Sequence, residues 1–238
     1  MIIGINGYAG SGKDTVGTII QYLHCHQHNR NESLQDILKE PDYHEWWLQD
    51  ESGWEVKKWA GKLKCIASIL TGIEEKKFED QEFKKTELSH QWSSLKHKVG
   101  KRQDGIFPKN INMEIVPMTV RDFLQKLGTD AIRNGLHTNA WVNALMADYK
   151  PIDYNDDEQP ELPNWIITDT RFPNEAQAIK DAGGIVIRVD RPGVKPINDH
   201  PSEVGLDNWK FDYKIANVSD LVSLSLTVLN ILKQQKLL

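Results

Sequence analysis

Only two cysteines, Cys25 and Cys65, occur in 238 residues. That is too few for a disulfide framework, and a reducing cytoplasm is the expected setting. An excess of positive charge is missing as well. The formal net charge of −5 argues against general attraction to nucleic acid or to an anionic membrane surface, and favours a small anionic ligand met by a local basic site. Long hydrophobic runs are also lacking: the most apolar late segment, "LVSLSLTVLNIL", is short and interrupted by polar residues, so it reads as an amphipathic helix packed on a sheet. The N-terminus enters a strand without the basic and apolar regions of a signal peptide. There is no internal repeat. Nor is there a closed set of zinc ligands, because "HCHQH" supplies His24, Cys25, His26 and His28 with no matching C-x-x-C or H-x-x-x-H pair elsewhere.

What is present starts with the first residues. In "MIIGINGYAGSGKDTVGTII", Ile2 to Asn6 read as a buried strand, Gly7 to Gly12 as a turn and Thr15 to Leu23 as a helix. Glycines at 7, 10 and 12 allow backbone N–H groups and the positive end of the helix to converge on a polyphosphate, with Lys13 reaching its outer phosphates. Asp14 departs from this pattern. A hydroxyl residue normally follows the lysine, and here Thr15 comes one position later.

Residues 25–53 are polar and read as an irregular insertion, whose tryptophans 46 and 47 pack rather than stack on bases. "WEVKKWAGKLKCIASIL" reads as a strand leading into a helix. The charged stretch 74–110 is expected to hold one helix around "EEKKFEDQEFKK" and a lysine-rich loop near "LKHKVGKRQDG". A regular helix returns at "MTVRDFLQKLGTDAIRNG", with Thr119 as its N-cap. In the second half, strand, turn, helix and strand succeed one another from "WIITDTR" to "GIVIRVD", and "FDYKIAN" gives a last strand. The chain is therefore read as one α/β domain with a mostly parallel central sheet flanked by helices, binding ligands at the carboxyl ends of its strands.

"IITDTR" places Asp169 and Arg171 just past a buried strand. If that strand neighbours the first, the carboxylate can hold Mg²⁺ and the guanidinium a phosphoryl oxygen; the competing reading is an Asp–Arg pair that steadies a surface turn. Arg121 and Gln125 share a helical face, as a phosphate fork and a base-reading amide or as an ordinary solvated face.

Taken together, "SGKDT" at 11–15, "AGKLK" at 60–64, "VRDFLQKLGTD" at 120–130 with Trp141 downstream, "TDTR" at 168–171, "RPG" at 191–193 and "HPSEVGL" at 200–206 resemble the bacteriophage-type deoxynucleoside monophosphate kinases of the P-loop superfamily. The resemblance implies a three-layer P-loop kinase fold with its core at 1–24 and 160–238, an acceptor-binding region at 54–148 and a lid at 191–208. It implies that Gly7, Gly10, Ser11, Gly12, Lys13, Asp14 and Thr15 hold the donor's phosphates, with Asn217 near its adenine. Thr15 becomes the phosphate-side hydroxyl, Asp14 a helix-start residue favoured by the dipole, and Thr15 and Asp169 the candidates for Mg²⁺. Lys64, Arg121, Gln125 and Arg171 would bind the acceptor, while Lys13, Arg171, Arg191 and Asp169 would serve catalysis.

The implied reaction moves the γ-phosphoryl group of ATP, with Mg²⁺, onto a deoxynucleoside 5′-monophosphate. The implied partners are small nucleotides, with no nucleic acid and no membrane; a homodimer stays open. Two rival readings remain at this point, a kinase for another phosphorylated small molecule such as phosphomevalonate, and a nucleotide-binding regulator without transfer.

Overall fold

The computed structural model describes residues 1–25, 33–99, 111–152 and 160–238. They form two compact units, one built from residues 1–59 and 142–238 and one from residues 60–141.

The first unit holds the sheet. Strands β1 (Ile2–Asn6), β2 (Trp54–Lys57), β5 (Asn164–Ile167), β6 (Ile185–Asp190) and β7 (Tyr213–Ala216) lie in the order β2-β5-β1-β6-β7, and every neighbouring pair is parallel. Side chains alternate across a strand, so each strand feeds two cores. Ile3, Ile5, Ile166, Ile187 and Ile215 meet helices α1 (Lys13–His24) and α9 (Leu221–Gln234) through Val16, Ile19, Ile20, Leu224 and Val228. Ile2, Trp165, Ile167 and Val186 meet helix α7 (Pro173–Asp181) through Ala176 and Ile179, together with Val142, Leu145 and Leu206. This is the expected α/β sheet flanked by helices, and the apolar late segment is indeed a helix lying on it.

The stretch read as an irregular insertion is helical where it is described. Helix α2 (Leu34–Lys39) starts at Ser33, whose hydroxyl accepts from the Asp36 N–H while the Asp36 carboxylate accepts in return. Helix α3 (Pro41–Ser52) has proline in its first turn, where no N–H is needed. Ile37, Trp47 and Leu48 are buried against Tyr22 of α1 and Cys25 just past its end, whereas Trp46 is exposed. His26 and His28 lie outside the described residues.

Burial, with a smaller push from the Glu51 charge, raises the Cys25 thiol to about 11, while Cys65 is exposed. Iodoacetamide at about pH 8 is therefore expected to label Cys65 and spare Cys25, whose thiolate is scarce and covered, until denaturant is added. Peptide mass spectrometry would read this, and equal labelling of both cysteines in the native protein would show that α2 and α3 do not stay packed on α1.

The second unit contains helix α4 (Gly61–Thr71), the antiparallel pair β3 (Ser94–Val99) and β4 (Ile111–Val116), and helix α5 (Val120–Gln125). Ala67, Phe78, Leu88, Val120 and Phe123 form its core. Three expectations are corrected here. "EEKKFEDQEFKK" is two short 3₁₀ segments, Glu75–Glu79 and Phe83–Lys85, because the Asp80 carboxylate accepts from the N–H groups of Glu82 and Phe83 and breaks the run. Lys96 and Lys98 lie in strand β3 rather than a loop, and Lys101 is outside the described residues. The helix capped by Thr119 does begin as expected, with Asp122 closing a capping box, but Lys126–Asn134 is wound as a π-helix. Gly128 sits in that wide turn, and the Trp141 indole N–H donates to its carbonyl at 2.8 Å.

Helices α6 (Ala140–Met146) and α8 (Pro201–Val204) and a short 3₁₀ segment, His90–Trp92, complete the described elements. Among the described residues no helix is long and apolar enough to cross a membrane.

Candidate active site

The loop between β1 and α1 is closed by its own backbone and by two distant segments. The Ser11 N–H donates to the Tyr8 carbonyl at 3.1 Å, and Gly12, the N-cap of α1, has φ of 94°, a conformation that strains any residue with a Cβ. The Asn217 amide, which follows β7, donates to the Ser11 carbonyl at 2.9 Å and packs over Gly12. At Gly7 the requirement is space, since a Cβ there would collide with Ser11 Oγ and the Val189 carbonyl. Ser11 Oγ itself is a buried hydroxyl with no hydrogen-bond partner among the described residues. Such a group is costly to bury unless something else reaches it.

Lys13 opens α1, and its ammonium stands 3.7 Å from Asp14 Oδ2. Asp14, in the first turn, sits where the helix dipole favours a carboxylate. Its other oxygen accepts from the Thr168 hydroxyl at 2.7 Å, so the loop is tied to the end of β5. Thr15 is half-buried one position further on.

Because β5 pairs with β1 in parallel, Ile3 opposite Ile166, the segment after β5 emerges at the same sheet edge as the loop. Asp169 is buried there, and its Oδ1 accepts from the Trp59 backbone N–H at 2.8 Å. Arg171 is half-exposed and donates to Glu203 of α8 at 3.2 Å, while Glu175 accepts from the Arg171 backbone N–H. Arg191, just past β6, reaches the Gly10 carbonyl at 3.5 Å from an exposed position. Thus Lys13, Asp14, Thr15, Asp169, Arg171, Arg191 and Asn217 all lie in the first unit, around the carboxyl ends of β1, β5, β6 and β7.

Lys64, Arg121 and Gln125 are in the second unit. Lys64 is buried and paired with Glu79; Arg121 donates to the Gln81 side chain at 3.2 Å; Gln125 is half-exposed at the end of α5.

Several partners around these residues were not evident from the sequence. Thr168 on Asp14, the Trp59 N–H on Asp169 and Glu203 on Arg171 act across 154, 110 and 32 residues of chain, and no local pattern announces such pairs. A fourth group is Arg188 of β6, buried beneath the loop. It donates to Asn6 Oδ1 at 2.6 Å and to Asp190 Oδ1 at 2.7 Å, and lies 4.4 Å over the Tyr8 ring. The Tyr8 hydroxyl donates to Asp207 at 2.8 Å, and burial keeps it above its ordinary pKa, so Tyr8 remains a neutral donor.

A family model described as deoxynucleotide monophosphate kinase matches residues 1–228. A protein of Acanthamoeba polyphaga mimivirus, provisionally named as a deoxynucleotide monophosphate kinase, is 37% identical over 109 residues, covering 42% of this chain and 53% of the relative. The deoxynucleotide monophosphate kinase of Enterobacteria phage T4 is 35% identical over 115 residues, covering 48% and 46%. The deoxynucleoside-5′-monophosphate kinase of Escherichia phage T5 is 25% identical over 258 aligned positions, covering 97% of this chain and 95% of that one. The chain thus spans about half the length of the first two relatives and nearly all of the third.

Proposed function

Since the chain belongs to the deoxynucleotide monophosphate kinase family, we propose that it transfers the γ-phosphoryl group of ATP, with Mg²⁺, to a deoxynucleoside 5′-monophosphate. The observation that carries this reading is the placement of Lys13 at the start of α1, directly after a left-handed Gly12, on the same sheet edge as Asp169 and Arg171. The residues present suit both groups. A polyphosphate can take the hydrogen bond that Ser11 Oγ lacks, and Thr15 and Asp169 offer the hard oxygens that Mg²⁺ prefers.

Phosphoryl transfer asks for alignment and charge more than for covalent chemistry. Lys13 neutralises the outer phosphates of the donor, and the loop N–H groups with the start of α1 hold them in place. Arg171 and Arg191 steady the oxygens of the migrating group, and the segment 191–208, acting as a lid, excludes water. Mg²⁺, which Thr15 and Asp169 would hold, would supply positive charge to offset the charge that builds on the phosphates. Asn217 supports the loop through the Ser11 carbonyl. Lys64, Arg121 and Gln125 receive the acceptor, and Glu79 and Gln81 then give up the cations they engage to its phosphate. An acceptor phosphate is already ionised near neutral pH, so no strong base is needed.

The test is ADP release from ATP and Mg²⁺ with dGMP, dTMP, dCMP, dAMP, their ribose counterparts and phosphomevalonate as acceptors. At least one deoxynucleotide is expected to stimulate strongly, with dGMP and dTMP first, because each shows a ring N–H beside a carbonyl that one Gln125 amide can pair. Stimulation by phosphomevalonate alone would hand the site to a different acceptor. ATP binding with no stimulation at all would make the protein a regulator.

A further inference from the structure

We propose that Arg188 is a positioning residue that couples the phosphate loop to the segment around α8, so that the geometry of the loop and the placement of Arg171 change together.

A buried guanidinium needs paired charge and filled hydrogen bonds, and Asp190 with Asn6 would suffice for that. Arg188 does more, because its planar fork faces separate pieces of chain. One nitrogen holds Asn6 Oδ1, and the Asn6 amide donates in turn to the Thr170 carbonyl at 2.7 Å, fixing the end of β1 to the turn that precedes Arg171. The flat face lies under the Tyr8 ring. Tyr8 also supplies the carbonyl that closes the loop onto Ser11, so the residue stacked on Arg188 is part of the loop turn. The Tyr8 hydroxyl and, at 3.4 Å, the Arg188 guanidinium both donate to Asp207 Oδ1. Asp207 follows α8, and Glu203 within α8 accepts from Arg171. Loop, strand end and α8 segment therefore meet at one side chain. A lysine in its place keeps the charge and loses the flat face and the second direction of donation.

Amide hydrogen exchange on the whole chain tests this without substrate. Arg188→Lys is expected to speed exchange on the order of tenfold in both 7–12 and 201–207 while β1 and β6 keep their protection. Tyr8→Phe, which keeps the ring and removes only the hydroxyl, is expected to loosen the same two segments and serves if Arg188→Lys does not fold. Change confined to one segment, or to neither, would overturn the coupling.

Kinetics give a second readout that rests on the proposed transfer reaction. Arg188→Lys should lower kcat/KM for ATP on the order of tenfold, and Tyr8→Phe should add little in that background, since both act through one contact set. Losses that simply multiply would count against a shared network. A parent protein with no acceptor-dependent ADP release would defeat the functional reading, and the exchange result would still decide the coupling.

Discussion

Lys13→Ala is expected to lower turnover on the order of a hundredfold or more, with the melting temperature held within about 2 °C of the parent. The two halves of this expectation have separate causes. The loop takes its shape from elsewhere: from the left-handed Gly12, from the Ser11 to Tyr8 hydrogen bond and from Asn217 on the Ser11 carbonyl. Nothing in that set depends on the lysine side chain. Asp14 loses a cation 3.7 Å away and keeps the Thr168 hydroxyl and the favourable end of α1, so the helix start survives. What disappears is the charge proposed to meet the donor's outer phosphates, in a place where no second lysine follows the loop. Steady-state turnover with the best acceptor, measured beside thermal melting, checks both halves. Turnover within about threefold of the parent would remove Lys13 from transition-state stabilisation.

Arg171→Lys should be nearly as damaging as Arg171→Ala, each lowering kcat by roughly tenfold to a hundredfold, because an ammonium cannot bridge two phosphoryl oxygens in the plane of a fork. Arg171 donates to Glu203 in the present arrangement, so Glu203→Gln is the informative control. It releases the fork without removing it and should cost far less. Asp169→Asn separates charge from shape in the same neighbourhood, since the amide oxygen can keep the Trp59 N–H bond while the negative charge is lost. Its expected signature is a shift of the Mg²⁺ titration to higher concentration. Arg171→Lys with most of its activity intact would end the bidentate role, and an unmoved titration in Asp169→Asn would leave that carboxylate a structural part.

The core of the molecule could be read from its residues because its signals are local. Gly7, Gly10, Gly12 and Lys13 lie within one turn of chain, Thr119 precedes its helix with Asp122 three residues on, and Gly183 ends α7 where β6 is about to start. The polar stretch before Trp54 hid its helices behind its composition, yet Ser33 with Asp36 and the proline at 41 are ordinary helix starts. Asp80 shows the opposite error. Its surroundings have every helical preference, and one carboxylate that accepts two backbone N–H groups was enough to prevail. The site was half legible. Lys13 follows from the glycine loop that opens α1, and Asp169 and Arg171 from their place just past β5, whereas the partners around them, Thr168 on Asp14, the Trp59 N–H on Asp169 and Glu203 on Arg171, depend on the tertiary fold. Lys64 is a similar case, since its basic motif gives no hint of Glu79 as its partner.

The sheet order has a consequence for how the chain is made. β1 precedes the other described strands in the sequence and stands at the centre of the sheet, yet both its neighbours, β5 and β6, come from the last third of the sequence. The Asn6 to Thr170 bond alone spans 164 residues. During translation β1 and the loop after it therefore wait, while residues 60–141 emerge as a continuous piece with a core of their own. Closing so long a loop is slow, and an unpaired Ile-rich strand is a hazard while it waits. Yield on expression should thus depend on temperature and chaperone supply more than the stability of the finished protein would suggest.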